Sequence, residues 1–216
     1  MMDLLLFFSG RRVLVEVESK LNGKLTVVRD LPWGTYIMGG GLTQSGGVAQ
    51  KVWKDSLGEV LKRKRGGVKE AVILGLGGGS IAGLIERFWT GAKITGVDID
   101  PVIVDLGKKY LGLRRDVEVI LGDAYGFVVK KEKLTRQYDL ICIDTYVKDE
   151  FPKKFEKEKF LKGVKEILKK DGVVVFNRLY YGEKIKEANE FEKKLEKIFD
   201  RVERVYSEAN VMFICF

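Results

Sequence analysis

The sequence of 216 residues contains no histidine. Ser-His-Asp and Cys-His nucleophile systems are therefore excluded, and most zinc and iron sites lose their usual ligand, so no metal centre is expected. Proton transfer, if there is any, falls to a carboxylate, a tyrosine, a lysine or the substrate itself. Cysteine is scarce as well. Cys142 and Cys215 each lie inside an apolar run; they read as buried reduced thiols, and a cytoplasmic protein is the default. No apolar run approaches the roughly 18 residues of a membrane span, so no membrane partner is expected. "LLLFF" (Leu4–Phe8) is too short, and it follows Met-Met-Asp instead of a basic segment. It reads as an edge strand or a subunit contact, not a signal peptide. Amides are few too, three Gln and four Asn beside many Lys and Glu, a balance seen in heat-adapted proteins.

What is present fits one well-cored globular domain with a small appendage: 45% hydrophobic and 32% charged residues. The net charge of +8 has two readings, a Lys/Glu-rich solvated surface or an anionic partner such as nucleic acid. The densest basic run, Lys62, Arg63, Lys64 and Arg65, would carry the second.

Two regions differ in pattern. Residues 1–48 form a small β unit. "RVLVEVES" alternates Val13, Val15 and Val17 with polar residues, "LNGK" carries an Asn-Gly turn signal, "LTVVRD" returns, and "LPWGTYIMGGG" adds a third short strand. Such a hairpin is marginal alone and must pack on something larger. Residues 49–216 open with a helix over 50–65 and then alternate. Strands are expected at "AVILGL", "KITGVDI", "VEVIL", "YDLICID" and "GVVVFN", with helices over 79–90, 101–111, 124–133 and 155–170. Right-handed β-α-β units in a parallel sheet follow, with the apolar runs "AVIL" and "LICI" at its centre. A last helix over Glu183–Phe199 precedes "RVERVYS" and "NVMFICF", whose short connection predicts an antiparallel pair. The expected fold is an α/β, doubly wound, Rossmann-like, mostly parallel seven-stranded sheet with an antiparallel last strand, preceded by the β-hairpin unit.

Chemistry concentrates at the strand ends. "GLGGGS" (Gly75–Ser80) joins a strand to a helix, and Gly75, Gly77 and Gly79 permit backbone conformations and close approaches that a Cβ forbids. Its amides can receive a polar or anionic group, although a tight strand-to-helix turn would use the same residues. Asp98 ends the next strand about 20 residues on, the spacing of a ribose-binding acid. Asp100 before Pro101 reads as a helix N-cap. Asp123, after the third strand, either reaches an adenine amino group or caps a helix. Asp144, after the fourth, points into the crevice where open sheets bind ligands.

These strand ends resemble the class I S-adenosylmethionine-dependent transferases, and more narrowly the spermidine synthases and spermidine-synthase-like methyltransferases. The resemblance runs from about residue 24 to the C-terminus and includes "GKLTVVRDLPWGTYIMGGGLTQSG". It implies that Gly75, Leu76, Gly77 and Gly79 lie beside the amino-acid end of S-adenosylmethionine or decarboxylated S-adenosylmethionine. It further implies that Asp98, with Ile99, holds the ribose side and that Asp123, with Ala124, meets the adenine. Gln44 would contact cofactor or product. Asp144 would stand at the reacting centre with Tyr146 shaping the acceptor pocket, the two forming the catalytic pair. A homodimer is implied as well.

The departures point away from polyamines. Aminopropyltransferases of that group carry Asp-Gly-Gly where this chain has Gly78-Gly79-Ser80. They carry an acid-rich Tyr-His-Glu segment where it has "GGVAQKVWKDSLGE", in which Trp53 falls near the aromatic position. They carry a second acid three residues after Asp144, where it has Val147. A polyamine needs several carboxylates in its pocket, although Asp149, Glu150 and Tyr146 could line the same mouth. The favoured expectation is a methyltransferase with a small-molecule acceptor. Aminopropyl transfer is the first alternative and a non-catalytic cofactor- or nucleic-acid-binding module the second. Tyr180 and Tyr181 either stack on the acceptor or pack.

Overall fold

A computed structural model describes residues 10–64, 66–130 and 136–216. Two sheets account for the eleven strands among them. The first is an antiparallel meander of β1 (Arg12–Ser19), β2 (Gly23–Asp30), β3 (Gly34–Gly39) and β4 (Leu42–Gly46). The fourth strand is not separable in the sequence: it is short, and "TQSG" carries no alternating apolar pattern. Leu4–Phe8 and the C-terminal part of the expected helix 124–133 lie outside the described residues.

The second sheet has seven strands in the order β10-β11-β9-β8-β5-β6-β7. They are β5 (Glu70–Leu74), β6 (Lys93–Asp98), β7 (Glu118–Leu121), β8 (Tyr138–Ile143), β9 (Leu168–Leu179), β10 (Val202–Ser207) and β11 (Asn210–Cys215). The run from β7 to β9 is parallel; β11 is antiparallel to both β9 and β10. The doubly wound sheet with its antiparallel last strand is thus as expected.

The strands' period of two divides the core into two layers. Ala71, Ile73, Leu140, Cys142, Val173 and Val175 face one layer; Val72, Leu74, Ile141, Ile143, Val174 and Phe176 face the other, all of them buried. The first layer is covered by α1 (Gly47–Arg63), by α2 (Ser80–Phe88) and by Leu25, Val27 and Ile37 of the N-terminal meander. That contact gives the marginal hairpin unit its core. The second layer is aromatic: Phe176, Phe191 and Phe213 are fully buried among α5 (Glu158–Glu166), α6 (Lys184–Leu195) and the sheet. Each such ring is worth about 1.5–3 kcal/mol of burial.

Two helices differ from expectation in instructive ways. The one after β6 is α-helical only over α3 (Pro101–Leu106) and continues as a π-turn, Gly107–Leu111. Here a Cβ on Gly107 would stand 2.5 Å from the Gly78 carbonyl oxygen, so the helix widens where it meets the glycine turn. The helix expected to run to 170 ends at Glu166. Leu168 pairs with Tyr138 and the ladder resumes at Val173, leaving Lys169–Gly172 bulged out. α4 (Ala124–Val129) completes the set.

Candidate active site

A cleft of about 520 Å³ opens at the carboxyl ends of the parallel strands, within the range of small-molecule sites. The start of α1, the loop after β8 and the β10–β11 turn also contribute to its wall.

The glycine turn forms its floor. Gly75 has φ +91°, and a Cβ there would lie 2.1 Å from the Asp144 carbonyl oxygen, so only glycine allows β5 and β8 to end side by side. The Gly75 and Leu76 amides donate to the Val97 carbonyl (2.9 and 3.1 Å). The Gly77 amide donates to Asp98 Oδ2 at 2.7 Å. Gly79, with φ +86°, starts α2 and backs onto Leu113; it does not line the cleft, in contrast to Gly75, Leu76 and Gly77. Ser80 Oγ accepts from the Gly46 amide (2.6 Å) and lies 2.7 Å from Ser45 Oγ, which fastens the turn to β4.

Asp98 also accepts from the Asp100 amide at 2.9 Å. Burial pushes its carboxyl above the ordinary range, the Asp100 and Gly77 amides pull it back, and the Asp100 charge adds to the rise. Asp100 caps α3 by accepting from the Val102 amide (2.9 Å), as the Asp-Pro pair predicts. It also accepts from Ser19 Oγ (2.5 Å) and Asn22 Nδ2 (2.6 Å) of the β1–β2 turn. Ile99 stands 49% exposed on the cleft wall, an apolar surface without a protein partner at that face. Asp123 caps α4 through the Tyr125 amide (3.2 Å) and pairs with Lys154 Nζ at 2.7 Å. Desolvation works to raise its carboxyl, but Lys154 and the helix amides outweigh it and hold it low. Ala124 follows it on the wall. Gln44 lines the cleft while donating to the Gly39 carbonyl (3.0 Å).

Asp144 is held at both carboxylate oxygens. Its Oδ2 accepts from Trp53 Nε1 (2.8 Å) and its Oδ1 from Asn177 Nδ2 (2.9 Å). Asn177 Oδ1 in turn accepts from Asn210 Nδ2 (2.7 Å). Burial raises the Asp144 carboxyl, the Asn177 and Trp53 donors offset part of that, and the charge of Asp98 adds to it. Tyr146 lines the cleft with its hydroxyl oxygen accepting from the Leu179 amide (2.7 Å) and its ring edge-on to Phe151 (5.5 Å). Burial pushes this phenol well above its ordinary value, so it stays neutral. Thr145, beside them on the wall, is buried with Oγ1 lacking any partner.

Sequence reasoning places Asn177 at the start of an acceptor loop but does not join it, or Asn210, to Asp144. They meet Asp144 only through the packing of β9 and β11, and no local signal announces that contact. It also misses Arg178, buried between the Phe151 and Phe191 rings (4.3 and 4.6 Å) and paired with Glu156 (3.1 Å), which anchors the loop after β8 to α6. Tyr181 lines the cleft; Tyr180 packs on Tyr206 at 5.3 Å. Lys62 is paired with Glu59, Arg63 with Glu59 and Glu203, and Lys64 donates to the Asp171 carbonyl; Arg65 lies outside the described residues. No described helix is long and apolar enough to cross a membrane.

The family model for the spermine/spermidine synthase domain matches residues 50–211. The chain belongs to this family. Among relatives of this spermine/spermidine synthase domain protein is the eEF1A lysine and N-terminal methyltransferase homolog of Drosophila melanogaster. It is 28% identical over 162 residues, covering 70% of this chain and 24% of the relative. Polyamine aminopropyltransferase of Vibrio vulnificus is 28% identical over 108 residues, 49% of this chain and 36% of that protein. The chain thus spans about a quarter to a little over a third of the length of these relatives. Spermidine synthase from Thermotoga maritima has the same fold, with a TM-score of 0.73 at 16% identity, covering 94% of this chain and 72% of that one. Human methyltransferase-like protein 13 in complex with SAH gives 0.60 at 21% identity, covering 78% and 79%. The first of these alignments takes in nearly all of this family member, N-terminal meander included.

Proposed function

We propose that the chain is an S-adenosylmethionine-dependent methyltransferase, with a small nucleophilic molecule as acceptor. The observation that carries this reading is at Gly78. A Cβ there would come within 2.9 Å of Ile37 Cδ1 and Ser45 Oγ and 3.0 Å of Leu111 Cδ2. Where spermidine synthases carry an aspartate in this turn, this chain has Gly78, with the side-chain ends of Ile37, Ser45 and Leu111 closed against it, and Val147 occupies the place of their second acid. A multiply charged amine would enter a cleft that lacks these two carboxylates. The names of the methyltransferase relatives support the same reading.

In this reading Asp98 accepts from the ribose hydroxyls, Ile99 and Ala124 flank the adenine, and Asp123 lies at its edge. Gln44, Gly75, Leu76 and Gly77 border the methionine end. The cleft fits such a ligand. It leaves the Ile99 face open and the Thr145 hydroxyl unpaired, and a Cβ on Gly77 would meet nothing closer than the Gln44 carbonyl oxygen at 3.6 Å. S-Adenosylmethionine supplies a methyl group already activated by its sulfonium. The protein's tasks are alignment of the acceptor and exclusion of water. Asp144, with its carboxyl raised by burial, orients the nucleophile and takes its proton; Trp53 and Asn177 fix its plane. Tyr146, neutral, shapes the wall. A cytoplasmic homodimer belongs to the same reading; two buried free thiols support the reducing compartment.

Incubation with methyl-labelled S-adenosylmethionine and fractionated cell extract should label a low-molecular-weight fraction. Product formed only from the decarboxylated donor and putrescine would overturn the reading in favour of aminopropyl transfer. The relatives' names also raise a protein amine as acceptor, which the same labelling would reveal in the macromolecular fraction.

A further inference from the structure

Six charged side chains line the cleft: Asp98, Asp123, Asp144, Lys148, Lys154 and Glu208. Five are engaged. Asp98 accepts from two backbone amides, Asp144 from Trp53 and Asn177, Lys154 is paired with Asp123, and Glu208 with Lys51 at 3.0 Å. Among the described residues of the wall, Lys148 alone carries a charge with neither an ion pair nor a hydrogen bond. Its backbone is also held in place. Val147 and Glu150 exchange two backbone hydrogen bonds (3.0 and 3.1 Å), which puts Lys148 at the first central position of a two-residue turn, with φ +57°. A Cβ on Gly40, in the β3–β4 turn, would lie 3.2 Å from Lys148 Cβ, so the meander packs close beside its stem. Of the neighbouring acids, Glu150 is drawn to Lys184 (3.2 Å) and Asp149 is not part of the cleft wall.

Lys148 is an exposed residue of the cleft wall, and an unpaired ammonium beside a cleft whose carboxylates are all satisfied favours an anionic group and disfavours a second cation. We propose that Lys148 is a specificity-determining residue that receives a carboxylate in this cleft. This rests on the adenosyl-ligand reading above. The carboxylate has two possible sources, the α-carboxylate of the donor's methionine moiety or one carried by the acceptor, and matched ligand pairs separate them.

The first pair is S-adenosylhomocysteine and its decarboxylated analogue. The second, titrated into protein saturated with S-adenosylhomocysteine, is 4-aminobutanoate and putrescine, which differ by a carboxylate for a protonated aminomethyl group. Calorimetry is run on wild type, Lys148→Met and Lys148→Arg, with thermal unfolding as the check on folding. In one pair the carboxylate-bearing ligand should bind about tenfold more tightly, the worth of one charge-assisted hydrogen bond. That gap should close in Lys148→Met, persist in Lys148→Arg, and narrow in wild type as salt is raised. The pair that shows it identifies the source. A wild type with no gap in either pair, putrescine binding as well as 4-aminobutanoate included, overturns the assignment, as does a gap that survives Lys148→Met. The salt series on wild type keeps the test decisive if the Met variant does not fold. Absence of any heat with S-adenosylhomocysteine, seen in the first titration, overturns the adenosyl reading itself and this assignment with it.

Discussion

Replacing Gly75 by alanine isolates the closest backbone approach in the site. The new Cβ would start 2.1 Å from the Asp144 carbonyl oxygen and 2.6 Å from its carbon. Neither atom is a flexible side-chain end, so relief requires the end of β8 to move by about 1 Å. That movement breaks the ladder bond from the Asp144 amide to the Leu74 carbonyl (2.8 Å), worth about 1 kcal/mol. It also disturbs the Trp53 and Asn177 bonds to the Asp144 carboxylate, each worth about 1.5–3 kcal/mol when fully lost. The left-handed backbone adds about 1–2 kcal/mol for a residue with a Cβ. The expected destabilisation is about 3–5 kcal/mol. Gly91 is the control: its φ is +83°, yet nothing lies within 4 Å of its added Cβ. Gly91→Ala should cost only the backbone part, about 1–2 kcal/mol. In urea, with a slope of about 2 kcal/mol per molar, the midpoints should fall by about 2 M and 0.5–1 M respectively. Equal midpoints for the two variants would refute the steric account of the glycine turn.

Trp53→Phe removes one donor from the Asp144 carboxylate, so its pKa should rise further above the ordinary range; a carboxyl carbon-13 titration by NMR reads the shift directly. Asp98→Asn cannot accept from both the Gly77 and Asp100 amides, and calorimetry should show S-adenosylhomocysteine affinity lowered at least about tenfold. Arg178→Met leaves Glu156 without its buried partner, and chemical unfolding should show a loss of about 3 kcal/mol, part of it recovered in the double variant with Glu156→Leu. Desolvation works to raise the Glu156 carboxyl, but the Lys194 hydrogen bond and the Arg178 charge outweigh it and hold it below its ordinary 4.5. Its contribution is therefore present above about pH 4.5 and fades as pH falls through the lower folded-state value. The acid limb of the stability curve should be shallower in Glu156→Gln.

The parts of the fold legible in the sequence are those with a local cause. Alternation in "RVLVEVES", unbroken apolar runs in β5 and β8, glycines in a strand-to-helix turn and Asp100 before Pro101 all act within a few residues of one another. The cleft acids can be placed because strand ends converge in any parallel sheet. What escapes notice depends on distant segments meeting. Trp53 reaches Asp144 across 91 positions, and Asn177 across 33. Asp123 has two readings because capping α4 and facing the cleft use the same carboxylate; the structure shows it capping α4, paired with Lys154 and on the cleft wall. Gly79 reads as a cofactor residue by its place in the motif, whereas Leu113 from the neighbouring helix end occupies the space it leaves.

Asp100 holds three donors at once: the Val102 amide at the head of α3, and Ser19 and Asn22 from the first hairpin. Trimming the chain to its doubly wound half would strip the Asp100 cap of its Ser19 and Asn22 donors one residue beyond Ile99 and lay bare the apolar side of α1 that Leu25, Val27 and Ile37 now cover. The meander is a buttress for the Asp98–Asp100 side of the cleft, and the cleft cannot be kept intact by leaving it out.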